Sequence, residues 1–348
     1  MRIILDTSVI VREGYFRSGM MRALLKAAHF MEWKVLIPDV VWDELLGKAE
    51  KEIAKRVAAY DKAARELNAI TGKTIEPGNA DNDYGDYKDW LAEEVEKFGI
   101  DFLPYPATTT RELVAKSYEG EKPFKENGDG HKDYLIWRSI VECLQNQQEA
   151  APTYLLTNNK KDFCADGAPP LALHPDLASQ LPEGQSVNVY PDAVSFFGEM
   201  IAPHLKGVDI NEIPVDLANR AIELIESNLT DHSAFGFEGV PIQNEALITC
   251  VENVEIVDRE IRSLDDDEFL VTFSCKLDAE ISGFMEKSEY YSGDHDVNVW
   301  DADWNDWVMG VSTSATLPVQ VSFTYSKSEG GITGSDVDLP TEYSDIDY

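Results

Sequence analysis

A series of short apolar runs, separated by stretches with helical spacing, leaves few ways to fold the first two hundred residues of this chain. Arg2 to Leu5 is too short and too apolar to be anything but a buried strand. Lys34 to Ile37, Ile100 to Leu103, Thr153 to Thr157 and Val187 to Tyr190 read the same way. Between them Phe16 to Phe30 places Met20, Leu24, Leu25 and Ala28 on one helical face. A helix opened by Asp39 as N-cap buries Val40, Val41 and Leu45, and continues as a charged helix from 47 to 70. Residues 72 to 85 are rich in Gly, Pro, Asn and Asp and read as a loop before a helix that runs to about Phe98. Further helices are expected from Arg111 to about Tyr118, around Leu135, Ile136, Ile140 and Leu144, and around Phe196, Phe197 and Met200. Strands alternating with helices over this length call for an α/β fold, a parallel sheet covered on both faces.

Acidic and amide side chains recur where these elements begin and end. Asp6 stands at the C-terminal end of the first strand, followed at once by Thr7 and Ser8. In open α/β sheets that edge is where ligands bind, although a helix N-cap or a turn would equally use an aspartate there. Glu44 lies close to the apolar stripe of its helix, a costly place unless it is paired or binds a cation, and its plain alternative is an exposed helix acid. Asp133 falls in the first turn of its helix, where the dipole alone favours a carboxylate, and the same explanation covers Asp129. Lys125, His131 and Lys132, with Arg138, form a local basic patch suited to substrate. The strand ending at Thr157 delivers Asn158 and, four residues beyond it, Asp162.

Several carboxylates converging with no matching lysines need a counter-charge. Mg²⁺ or Mn²⁺, one ion or two, suits such oxygen ligands, whereas zinc would want His or Cys. An acid cluster holding such ions is the apparatus of phosphodiester hydrolysis: one metal lowers the pKa of a water and a second stabilises the leaving oxygen. A phosphatase-like hydrolase is a weaker reading, because the first strand has no nucleophilic Asp-x-Asp.

The order of Ile3-Ile-Leu-Asp-Thr-Ser-Val9, Pro38-Asp-Val-Val-Trp-Asp-Glu-Leu45, Gly130-His-Lys-Asp-Tyr-Leu-Ile-Trp137 and Leu155-Leu-Thr-Asn-Asn-Lys-Lys-Asp-Phe163 resembles the PIN-domain nucleases over roughly residues 1 to 200. It is most similar to larger members with an added C-terminal region. The resemblance implies a three-layer α/β/α PIN-like fold, with Asp6, Glu44 and Asp133 as the core metal ligands and catalytic acids. Ser8 would orient the first carboxylate and Thr157 would line the site. Many members have Thr-x-Asp where this chain has Thr157-Asn158-Asn159, so either Asn158 binds metal through water or Asp162 supplies the charge. Some toxin-like members share that pattern. The long gap from Glu44 to Asp133 implies a helical insertion, about 47 to 120, capping the site. The activity implied is an endonuclease, a ribonuclease by analogy; the alternative is a catalytically weak module that binds nucleic acid or protein.

Charge separates a second module from the first. The net charge is −34, yet from Val208 onward 31 acids face only 6 Lys and Arg. The two are expected to join near residue 207, with a linking helix over 215 to 229. Leu247 to Val251, Val254 to Val257, Phe269 to Leu277 and Val319 to Tyr325 predict a small antiparallel sheet or sandwich. The run from Asp294 to Trp307 has Val299 and Asn305 where a calcium loop of the EF-hand type needs Gly and an acid, so it reads as a solvated aromatic and acidic loop. The tail from Gly330 is expected to fray. This acidity would repel nucleic acid, so the module is expected to meet a protein partner or to restrain the nuclease. Cys143, Cys164, Cys250 and Cys275 have neither disulfide nor zinc spacing, and no apolar run spans a membrane. A cytoplasmic protein is expected, acting on nucleic acid and open to pairing with a second copy of itself.

Overall fold

The computed structural model describes the chain outside residues 126, 147–150, 166–170, 210–215, 235, 238, 243, 294 and 340–348, with the main chain alone at 244 and 245. The chain divides into two compact units, Met1–His204 and Leu205–Tyr348.

The first unit runs β1 (Arg2–Leu5), α1 (Thr7–Arg12), α2 (Gly19–Phe30), β2 (Lys34–Pro38), α3 (Asp39–Thr71), α4 (Ala80–Phe98), β3 (Asp101–Leu103), α5 (Thr110–Glu119), α6 (His131–Gln145), β4 (Thr153–Leu156), α7 (Lys160–Phe163), α8 (Pro175–Ala178), β5 (Val187–Tyr190) and α9 (Ala193–Phe196). All five strands are parallel, in the order β3-β2-β1-β4-β5. β1 and β4 are buried along their whole length, as central strands of a sheet covered on both faces must be. Ile3, Leu5, Leu24, Val41, Trp137, Ile140 and Leu155 form its core, each 1% exposed or less.

Several sequence expectations are corrected. The helix expected from Phe16 begins only at Gly19, and an unexpected short helix, α1, precedes it: Gly14, Tyr15 and Phe16 take left-handed φ angles of 58°, 57° and 73°, which separate the two. Ser18 then caps α2, its hydroxyl accepting from the Met21 N–H at 2.9 Å. Asp39 is the first residue of α3 and not its cap; Pro38 occupies the cap position without a side-chain bond. The loop read over 72 to 85 is shorter, because Asn79 caps α4 through the Asn82 N–H at 3.1 Å. After α9 the chain winds into a π-helical turn, Phe197–Ile201, and a 3₁₀ turn, Ala202–His204.

The second unit contains α10 (Leu217–Leu229), β6 (Ser233–Ala234), β7 (Asn244–Ser263), β8 (Glu268–Glu286), α11 (Lys287–Ser292), β9 (Asn298–Asp301), β10 (Val308–Ser326) and β11 (Gly331–Asp338). It is one antiparallel sheet, β11-β10-β8-β7-β6 with β9 on β10, and α10 packs Leu217, Ala221, Ile225 and Leu229 into the core. A sandwich is therefore excluded among the described residues. The two strands read over 247 to 257 are one, interrupted by bulges at Ile248/Cys250 and Val251/Asn253 that break the alternation of side chains. Residues 331 to 338 of the expected fraying tail form the edge strand β11; 340 to 348 lie outside the described residues. Part of the run from Asp294 to Trp307 is strand β9, and Asp294 itself lies outside the described residues. No helix among the described residues is long and apolar enough to cross a membrane.

Candidate metal centre

The strand order places a topological switch between β1, whose next neighbour in sequence lies to one side, and β4, which lies on the other. At such a switch the loops leaving neighbouring strands diverge, and ligands of open α/β sheets bind outside the carboxyl ends of the strands. Asp6 stands there, directly after β1, 5% exposed. Its Oδ1 accepts from the Thr7 N–H at 2.8 Å, and its Oδ2 accepts from the hydroxyls of Ser8 at 2.6 Å and Thr157 at 2.7 Å. Burial raises its pKa; the Ser8 and Thr157 hydrogen bonds oppose the rise, and the charge of Glu44 adds to it.

Glu44 comes from the second turn of α3, immediately after β2. Its Oε2 accepts from the Thr7 hydroxyl at 3.1 Å, while Oε1 takes a hydrogen bond from Lys132 and lies 3.4 Å from the Lys48 ammonium. Burial works to raise its pKa, yet the bond from Lys132 and the charges of Lys48 and Lys132 hold it below the usual value.

Asp133 is placed by the first turn of α6, a helix that returns antiparallel to the strands and so begins at their carboxyl edge. The Asn159 side-chain amide donates to its Oδ1 at 2.9 Å. Burial pushes the Asp133 pKa up to about 7, with the charges of Asp6, Asp162 and Glu44 acting in the same direction. Asp162, on α7, is 1% exposed, and neither of its oxygens has a hydrogen-bond partner among the described residues. Lys122 and Lys125 stand 3.9 Å and 3.7 Å from its two oxygens.

Asp6, Glu44, Asp133 and Asp162 thus lie within electrostatic reach of one another, with Ser8 and Thr157 bonded to the first. Asn158 contributes its main-chain N–H to the Ser8 hydroxyl at 3.0 Å. The side chain that reaches an acid is its neighbour Asn159, which the sequence reading passed over. Thr7, Lys48 and Lys122 are further additions. Adjacency to Asp6 signals Thr7, and the i, i+4 spacing from Glu44 signals Lys48; nothing local signals Lys122. His131 is exposed, its ring edge-on to Phe124 at 5.5 Å. The expectation of acids without matching lysines is corrected: Lys132 and Lys48 serve Glu44, and Lys122 and Lys125 flank Asp162. Lys48 apart, the lysines arrive from a helix and a loop remote in sequence from the acids they meet.

These residues fit a hard divalent cation in their chemistry. The donors are oxygens, two of them buried on Asp162 without a hydrogen bond among the described residues, and burial together with neighbouring carboxylates disfavours the ionised forms of Asp133 and Asp6, a penalty that a cation would relieve. No group of three or more His, Cys, Asp or Glu among the described residues is gathered closely enough to hold an ion directly. Such a set suits Mg²⁺ or Mn²⁺ bound through one or two carboxylates and otherwise through water, and not a closed protein cage.

The N-terminus of α6 depends on one glycine. Gly130 has φ +117°, and a Cβ there would stand 2.7 Å from the Pro123 carbonyl oxygen. Gly130→Ala is expected to lower stability by about 2 kcal/mol and to displace Asp133 with it. Thermal melts together with cleavage assays check this; a variant matching the original in both refutes it.

Residues 3–163 match the family described as PIN domain. No curated protein and no solved structure matches the chain.

Proposed function

We propose, from the membership of the first unit in the PIN-domain family, that this chain is a divalent-metal-dependent endonuclease hydrolysing phosphodiester bonds, with RNA preferred to DNA. PIN domains have a nuclease fold, and that membership supports a hydrolase acting on nucleic acid. The preference for RNA rests on analogy within the family. The observation that carries the rest is Asp133, a carboxyl raised to about 7 by burial and by three carboxylates from other segments. A fold that gathers such charge needs a cation to offset it.

Asp6, Glu44, Asp133 and Asp162 are the groups that would hold Mg²⁺ or Mn²⁺, as one ion or two. Such an ion lowers the pKa of a bound water and stabilises charge on the phosphate oxygens. The chain's own residues set the stage. Ser8 and Thr157 fix the Asp6 carboxylate, Asn159 fixes that of Asp133, and Thr7 holds Glu44. Asn158 would reach such an ion only through water. Lys132, about 61% exposed on its side chain, and Lys125, about 50%, have long, flexible stems. Such stems would let these lysines turn from the carboxylates to phosphate oxygens of a bound phosphodiester, and the exposed His131, next to Lys132, would be free to join them.

One observation favours a second reading, a nucleic-acid-binding module with little chemistry. Four lysines already neutralise two of the four carboxylates, which lowers the demand for metal. Incubating the full chain with end-labelled single-stranded RNA and DNA, with Mn²⁺, Mg²⁺ or EDTA, separates the two. Cleavage that requires a divalent ion and favours RNA is expected. Retention of RNA on the chain without cleavage would support the second reading, and cleavage that persists in EDTA would sink the metal assignment.

A further inference from the structure

Side chains along β8 and β10 alternate between the two faces of the second unit's sheet. On one face Met285, Met309 and Val311 enter the core. On the other, Phe284 lies directly opposite Gly310, and Trp300 of β9 covers that glycine so closely that a Cβ would stand 2.5 Å from its ring. Trp304 completes the cluster, its ring 4.9 Å from Phe284 and 6.1 Å from Trp300. The indoles are packed against one another but not covered: Trp300 is 50% exposed, Trp304 54% and nearby Trp307 81%.

Soluble chains seldom present several tryptophans to water, and where they do the patch marks an interaction surface. The rim states what kind. Asp303, Asp306 and Glu286 are exposed around it and Asp301 half-buried, with Lys287 opposing them at 3.9 Å from Asp303. A purely apolar partner would bury these carboxylates without counter-charge. Nucleic acid would meet repulsion from a module with 31 acids against 6 Lys and Arg. Guanidinium and ammonium groups satisfy both parts at once, because indole faces attract cations and the carboxylates pair with them. We infer that the Trp300–Trp304–Trp307 surface binds a Lys- or Arg-rich segment of a partner protein. This surface stands apart from the carboxylate cluster of the first unit in sequence and in chemistry, so the inference does not depend on nuclease activity.

The test uses the full chain and a fluorescent nona-arginine peptide, with binding read by anisotropy. W300A/W304A keeps every charge and is expected to weaken binding on the order of tenfold. Unchanged affinity would mean that charge alone holds the peptide, and would overturn the inference. Should that variant lose its native melting transition, W304S/W307S serves in its place, because Trp300 then still covers Gly310; the same loss is expected. Binding of single-stranded RNA that falls in parallel in the same variant would also overturn it, by assigning the surface to nucleic acid.

Discussion

Asp6→Asn is expected to reduce RNA cleavage on the order of 10³-fold while leaving the fold intact. The loss follows from removing charge at the one carboxylate that both central strands converge on. β1 delivers it, and Thr157, at the end of β4, holds it. The fold survives because the replacement can be bonded in place. Oδ1 is retained as the acceptor of the Thr7 N–H. The new amide donates toward the Ser8 and Thr157 hydroxyls, which can accept as well as donate. Burial disfavours the charged form of Asp6, so a neutral side chain there costs the fold little and relieves a penalty. The measurement is paired: cleavage rate in saturating Mn²⁺ and melting temperature, for the original chain and the variant. A variant that melts normally and cleaves at an undiminished rate would remove Asp6 from the reaction.

The second large effect is on stability and concerns Asp133. Its folded-state pKa of about 7 lies above the ordinary 3.8. Between about pH 4 and 7 the folded chain therefore keeps a proton that the unfolded chain has released, and stability falls as the pH rises through that window. The effect is at most about 4 kcal/mol, and Asp6, also raised, acts in the same direction. Glu44 works oppositely: its pKa is held below 4.5, so its contribution is present at neutral pH and is lost only in more acidic solution. Metal-free protein should thus melt at a higher temperature at pH 5 than at pH 8. Asp133→Asn should raise the melting temperature at pH 8, leave it nearly unchanged at pH 5, and abolish cleavage. Saturating Mn²⁺ should flatten the original chain's dependence, because a bound cation stabilises the ionised carboxylates. If the variant keeps the full pH slope, the strain lies elsewhere.

The two effects describe one compromise. Gathering carboxylates at the sheet edge costs stability at neutral pH, and the lysines reduce that cost without removing it. Lys132 reaches Glu44 across 88 residues of sequence, and Asn159 reaches Asp133 across 26. Neither pairing has a local signature, which is why Asn158 drew attention in the sequence and Asn159 is the residue whose side chain is bonded to an acid.

Much else was legible without coordinates. Short apolar runs set between helical periodicities have one economical arrangement, a parallel sheet with helices on both faces, and such a sheet exposes its strand ends to ligand. The misread boundaries share a cause in weak local signals. α1 is six residues long, the bulges of β7 interrupt its alternation, and β11 is rich in the Gly, Ser and Asp that usually mark loops. An edge strand tolerates those residues because its pairing with β10 supplies main-chain hydrogen bonds that composition does not reveal.

The sequence by itself determined the α/β architecture of the first unit, the β-rich character and acidity of the second, and the match of residues 3–163 to the PIN-domain family, because periodicity, charge and strand-end acids are properties of neighbouring residues. Only the tertiary structure decided which distant groups meet: Lys132 against Glu44, Lys122 and Lys125 against Asp162, the amide on Asp133, and Trp300 over Gly310. Those pairings depend on how distant segments cross at a switch point or share one face of a sheet, and no local pattern carries that information.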